Sequence, residues 1–115
     1  MARSQTELAG AARLQLVAGV VHLRPQEVVL EGMLSGWRAQ QTSRGVKTGT
    51  MVAREQTVRR FLAFTNEFPW AWMPAHLDEW SASLLGERRL AASTVRAYQC
   101  ELRLFSEYLI DPRYG

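Results

Sequence analysis

The chain has 115 residues, 47% hydrophobic and 22% charged, with a formal net charge of +3. That length and balance fit one domain with a modest core and exclude an intrinsically disordered chain. No apolar run is long enough to cross a bilayer, and the single cysteine, Cys100, excludes an internal disulfide framework.

Residues 1 to 24 are rich in Ala, Gly and Gln with weak periodicity. They read as a leader, partly disordered, with a short helix at about 6 to 18. Arg24-Pro25 then opens a helix, because proline suits the first helical position and Glu27 favours the positive end of the dipole. Leu30, Met33, Leu34 and Trp37 recur at helical spacing, and Arg44-Gly45 closes the element. The stretch VKTGT, 46 to 50, reads as a linker in which Thr48 or Thr50 caps a second helix running to about residue 68. Its apolar face is Met51, Val58, Phe61, Leu62 and Thr65. Arg59 and Arg60 fall on either side of the far face, and Arg54 lies near the apolar side.

EFPWAWMP, 67 to 74, makes a stiff aromatic corner. Pro74 starts a third helix with Leu77, Trp80 and Leu84 on one stripe, and Gly86 ends it. ERRLAA leads into a fourth helix, 93 to 110, with Ser93 as its expected N-cap and Asp111-Pro112 as its stop. Val95, Tyr98, Leu102, Phe105 and Leu109 form its apolar stripe. No run has strand periodicity, so an all-α fold with four main helices and short connections is expected. The expected core is Trp37, Phe61, Leu62, Leu77, Trp80, Leu84, Tyr98, Leu102 and Phe105.

The charge is unevenly spread. Residues 44 to 60 hold Arg44, Lys47, Arg54, Arg59 and Arg60 against Glu55 alone. Residues 88 to 103 hold Arg88, Arg89, Arg96 and Arg103 against Glu101, while 74 to 87 hold three acids and no Lys or Arg. Basic segments alternating with an acidic one imply a fold with one basic side. All but one of the cations are arginine, whose fork matches phosphates and guanine edges; codon bias in a GC-rich genome explains that preference equally well.

Catalytic patterns are missing: no glycine-rich phosphate loop, no H-E-x-x-H, no G-x-S-x-G. Cys100 reads as an inert mid-helix thiol. His22 and His76 are too few to make a metal site with it, so neither metal nor cofactor is expected. The Trp cluster reads as core rather than as a base-stacking platform. A reducing cytoplasmic setting is expected, and residues 14 to 21 do not form a secretory signal, since Gln15 interrupts them and no cleavage site follows.

One constellation remains. Arg96, Gln99 and Arg103 fall at i, i+3 and i+7 on the fourth helix, opposite its apolar stripe. Arginine pairs bidentately with guanine and glutamine with adenine. Ser93 and Thr94 at the helix start could donate to a phosphate together with free backbone N–H groups. Lys47, Thr48, Arg59 and Arg60 add a second basic element. Any one of these residues alone reads as part of a solvated face; two basic helices flanking an acidic one point to duplex DNA.

The segments TVRRFLAF (57 to 64), PAHLDEW (74 to 80) and STVRAYQCELRLFSEYL (93 to 109) resemble the N-terminal core-binding domain of tyrosine recombinases, the phage-integrase family. The resemblance covers about residues 25 to 112. It implies a four- to five-helix bundle of SAM-like type that forms half of a clamp around double-stranded DNA, with the second and fourth helices at the major groove. It implies that the chemistry belongs to a separate C-terminal catalytic domain of the same parent chain, that residues 113 to 115 begin the linker to it, and that other recombinase protomers share the DNA. No His-x-x-Arg follows His22 or His76, and Tyr114 has no catalytic partners, so the chain itself is not expected to be an enzyme. The competing expectation is a helical protein-interaction module whose basic face binds an acidic partner.

Overall fold

The computed structural model describes residues 24 to 113. The expected helix at about 6 to 18 and Tyr114 lie outside them. The described fold is all-α: α1 is Pro25–Ser43, α2 Thr48–Thr65, α3 Pro74–Gly86 and α4 Ala92–Ile110, with a short 3-10 turn at Pro69–Ala71. No strand occurs among the described residues. The chain divides into two units with a boundary between Gly32 and Met33, inside α1. In the first, the Glu27 carboxylate accepts the Arg24 N–H at 3.1 Å and so closes the start of α1. The second unit is the four-helix bundle described below.

Turn chemistry sets the helix ends. Gly45 stops α1 in the left-handed region, φ 77°, and Val46 N–H turns back to the Gln41 carbonyl. That return starts α2 one step earlier than expected. The N-cap is Lys47, extended and without a side-chain cap, and Thr48 is the first helical residue. At the other end α2 stops at Thr65 rather than near residue 68. Asn66 takes the left-handed conformation with its N–H on the Leu62 carbonyl, and Pro69 disfavours helical geometry at Phe68. The corner is tied by Trp72 Nε1, which donates to the Glu67 carbonyl at 2.9 Å. Pro74 opens α3, where His76 Nδ1 accepts the Met73 N–H at 2.9 Å, giving that histidine a capping role. After Gly86, Arg89 takes a positive φ and Leu90 N–H reaches back to the Leu84 carbonyl. This turn makes Ala91 the N-cap of α4 in place of Ser93, which lies in the first turn.

The core of this unit is Leu34 and Trp37 of α1, Val58 and Phe61 of α2, Trp80 and Leu84 of α3, and Val95, Leu102 and Phe105 of α4. Leu62, Leu77 and Tyr98, expected in the core, are half-buried. Helix α2 buries only the narrow strip Thr57, Val58 and Phe61, while Leu77 and Tyr98 line surface clefts. Trp37 packs on Phe105 with ring centroids 4.9 Å apart, joining α1 to α4. Phe61 meets Trp72 at 4.7 Å and Trp80 at 5.2 Å, joining α2 to the corner and to α3.

Phe105 is 0% exposed and touches rings from α1 and the corner. Phe105→Ala is expected to destabilise the fold by about 3–5 kcal/mol in urea unfolding, against about 1 kcal/mol or less for half-buried Leu77→Met. Equal effects would show that the aromatic packing is not the stabilising element.

Candidate functional site

The backbone first decides what the start of α4 can offer. Thr94 and Val95 N–H both bond the Ala91 carbonyl, at 3.0 and 3.1 Å. The Thr94 amide is therefore occupied, and a phosphate there would rely on the exposed Ser93 side chain and the amides before Thr94. Arg96 is exposed and has no hydrogen-bond or ion-pair partner among the described residues. Gln99 is half-buried and its Nε2 donates to Ser81 Oγ of α3 at 2.8 Å. The amide assigned from sequence to an adenine edge thus braces α4 against α3, leaving Oε1 as acceptor. Arg103 is exposed, 3.6 Å from the Glu107 carboxylate, with Nη2 3.4 Å from Cys100 Sγ.

On α2, adjacent arginines part company, because neighbours on a helix point about 100° apart. Arg59 pairs with Glu55 at 2.9 Å, and Arg38 of α1 pairs with the same carboxylate at 2.7 Å. Arg60 instead lies over the Tyr98 ring of α4, 5.7 Å from its centroid. Tyr98 in turn stacks on Trp80 at 5.7 Å with the rings 13° apart. Lys47 and Thr48 are exposed at the start of α2. The structure therefore joins Arg60 to α4. It ties Arg59 to α1, whereas Gln99 and Arg103 share a groove with Leu77 of α3 and with Trp72 and Met73.

Sequence reasoning missed three participants. Arg38 stands outside both basic segments and enters only because α1 packs beside α2. Glu55, the lone acid of residues 44 to 60, is the residue that compensates them. Arg88 lines a cleft with Arg60 and Tyr98, and its place beside Arg89 in a basic segment was the available signal. Arg54, near the apolar side as expected, donates from Nη1 to Gln41 Oε1 at 2.9 Å. The amide oxygen of buried Gln41 is thereby satisfied, and its Nε2 donates to the Trp37 carbonyl at 3.4 Å. Thr57, also buried, donates its hydroxyl to Glu101 Oε1 at 2.6 Å, linking α2 to α4.

The hydrogen bond from Arg38 holds the Glu55 carboxyl below its ordinary value of 4.5; burial opposes this and Arg59 adds to it. No group of three or more His, Cys, Asp or Glu that could hold a metal occurs among the described residues. No described helix is long and apolar enough to cross a membrane. Comparison with protein-family models, curated proteins and solved structures returns no match to the chain.

A depressed folded-state pKa makes the Glu55 contribution present above the ordinary value of 4.5 and lost as pH falls through the lowered value. Glu55→Gln is expected to destabilise by about 1 kcal/mol or less at neutral pH. In urea unfolding that difference should vanish when the pH is taken well below the folded-state pKa. A difference that persists unchanged in acid would mean the carboxylate charge is not its source.

Proposed function

We propose that the chain is the DNA-binding module of a site-specific tyrosine recombinase, holding duplex DNA while a C-terminal catalytic domain of the same parent supplies the chemistry. The support is the all-α bundle, the residue pattern of α2, α3 and α4, and basic segments at 44 to 60 and 88 to 103 separated by an acidic one at 74 to 87. The observation that carries the reading is Arg96. It is an exposed guanidinium near the start of α4 with no protein acceptor among the described residues. Such a group keeps its fork of donors for a guanine edge or a phosphate.

In this reading Arg96 contacts bases, being in the part of the helix that groove-inserted helices present to base edges. Arg103, Arg60, Lys47, Thr48 and Ser93 contact phosphates, which sets register without reading sequence. Arg103 serves them by loosening from Glu107, and Arg59 joins them only by loosening from Glu55. Gln99 orients α4 through Ser81 and contributes its remaining acceptor.

A second reading, a helical protein-interaction module, is favoured by one observation. Met73, 63% exposed, borders an apolar groove with Trp72, Leu77 and Leu102. An acidic partner would then cover the basic residues and seat an apolar side chain in the groove.

The two readings separate in a titration of duplexes at two salt concentrations. Arg96→Ala is expected to cost about 1–3 kcal/mol on the preferred duplex and to relax preference at one base pair. Arg103→Ala should weaken all duplexes alike and reduce the salt slope by about one unit. Binding by the parent that both variants leave unchanged on every duplex would give the lead to the protein-interaction reading.

A further inference from the structure

A cleft of about 490 Å³ is walled by α2, α3 and α4 and lined among others by Arg60, Phe64, Ser83, Arg88, Leu90 and Tyr98. Its volume lies within the range of sites that hold small organic groups. None of its lining residues is acidic. The Ser83 hydroxyl is engaged by Glu87 at 3.0 Å. Neither Arg60 nor Arg88 has an ion-pair partner among the described residues. Arg60 is held in place by the Tyr98 ring beneath it, and Tyr98 by Trp80 beneath that. Phe64 is 42% exposed, leaving an aromatic surface open to solvent.

Two other clefts among the described residues differ in charge. The one near the ends of α1 and α4 sets Arg44, Arg54 and Arg113 against Glu107 and Asp111, and the Asp111–Arg113 pair closes at 2.7 Å. The groove beside Met73 is mainly apolar, and its one cation, Arg103, is paired with Glu107. Of these three clefts among the described residues, the Arg60–Arg88 cleft combines two uncompensated guanidinium groups with an open aromatic wall. Its chemistry fits a ligand with an anionic group joined to a planar ring. A paired base inside a duplex cannot present its face there, whereas an unpaired one can stack on an aromatic side chain.

We propose that this cleft takes one unpaired nucleotide of a DNA strand, with its phosphate between Arg60 and Arg88 and its base against Phe64. The proposal rests on the DNA-binding reading above and adds a strand feature that a fully paired duplex lacks.

The test uses fluorescence anisotropy of the chain with three hairpin-closed duplexes of identical stem. One is fully paired, one carries a single extrahelical thymidine, and one carries an abasic residue at that position. The thymidine duplex is expected to bind about tenfold tighter than the other two, as base–aromatic stacking implies. Phe64→Ala and Arg88→Ala should each collapse that ratio, and Phe64→Tyr should retain it. Circular dichroism checks that each variant is folded, and both positions are exposed. Equal binding of all three duplexes by the parent, or a ratio that survives both alanine variants, overturns the cleft assignment while leaving duplex binding intact. A ratio matched by the abasic duplex overturns it too, because flexibility rather than the base would be recognised. Failure to bind any of the three overturns the DNA-binding reading and this proposal with it. Binding of an acidic phenylalanine-containing peptide in their place, abolished by Arg88→Ala, would assign the cleft to a protein partner.

Discussion

A connected run of aromatic rings spans the bundle, and the helices take their positions from it. Trp37 of α1 touches Phe105 of α4, Phe105 approaches Trp72 of the corner at 6.3 Å, and Trp72 meets Phe61 of α2. Phe61 continues to Trp80 of α3, and Trp80 to Tyr98 back on α4. Most of these pairs are tilted or edge-on, the arrangement that sets the positive edge of one ring toward the negative face of another. Large flat side chains bury much area while losing few rotamers, which suits a bundle of this size. The run ends at the surface, where Arg60 covers the outer face of Tyr98. Packing and candidate site are therefore one continuous object: what fixes Trp80 also fixes the guanidinium above Tyr98.

A second constraint sorts the cations. The acids are few in the basic segments, but each is placed between helices. Glu55 draws Arg38 and Arg59 together, and Glu101 receives the hydroxyl of buried Thr57. An arginine held by a carboxylate must give up that pair before it can serve a phosphate, so the compensated ones contribute less to an anionic surface. Among the described residues Arg96, Arg60 and Arg88 have no carboxylate partner and so remain available to an anion. A positive segment in the sequence is thus not the same thing as a positive site.

The close approach of α1 to α4 shows a further dependence on packing. A Cβ added at Gly36 would meet the Tyr108 hydroxyl. Gly36 sits mid-helix, where glycine weakens a helix relative to alanine. Its use there is understood only once Tyr108 is seen across the interface, since a side chain in that position would push the two helices apart.

The all-α class, the extent of α3 and the ends of α1 follow from residue order alone. Prolines at helix starts, Gly45 at a helix stop and apolar residues at helical spacing act locally and need no partner to be read. Residue order also located six of the nine expected core residues, because an apolar stripe on a helix must face the interior. Tertiary structure decided the rest. Helix starts at Lys47 and Ala91 follow from backbone returns to Gln41 and Leu84, which no side-chain capping pattern encodes. The fate of Gln99 depends on Ser81 lying opposite, and that of Arg59 on Arg38 and Glu55 meeting across α1 and α2. Helical periodicity tells which way a side chain leaves its own helix. Which group awaits it there is set by how the helices pack, and that alone separated Arg96 from the residues with which it shares a face.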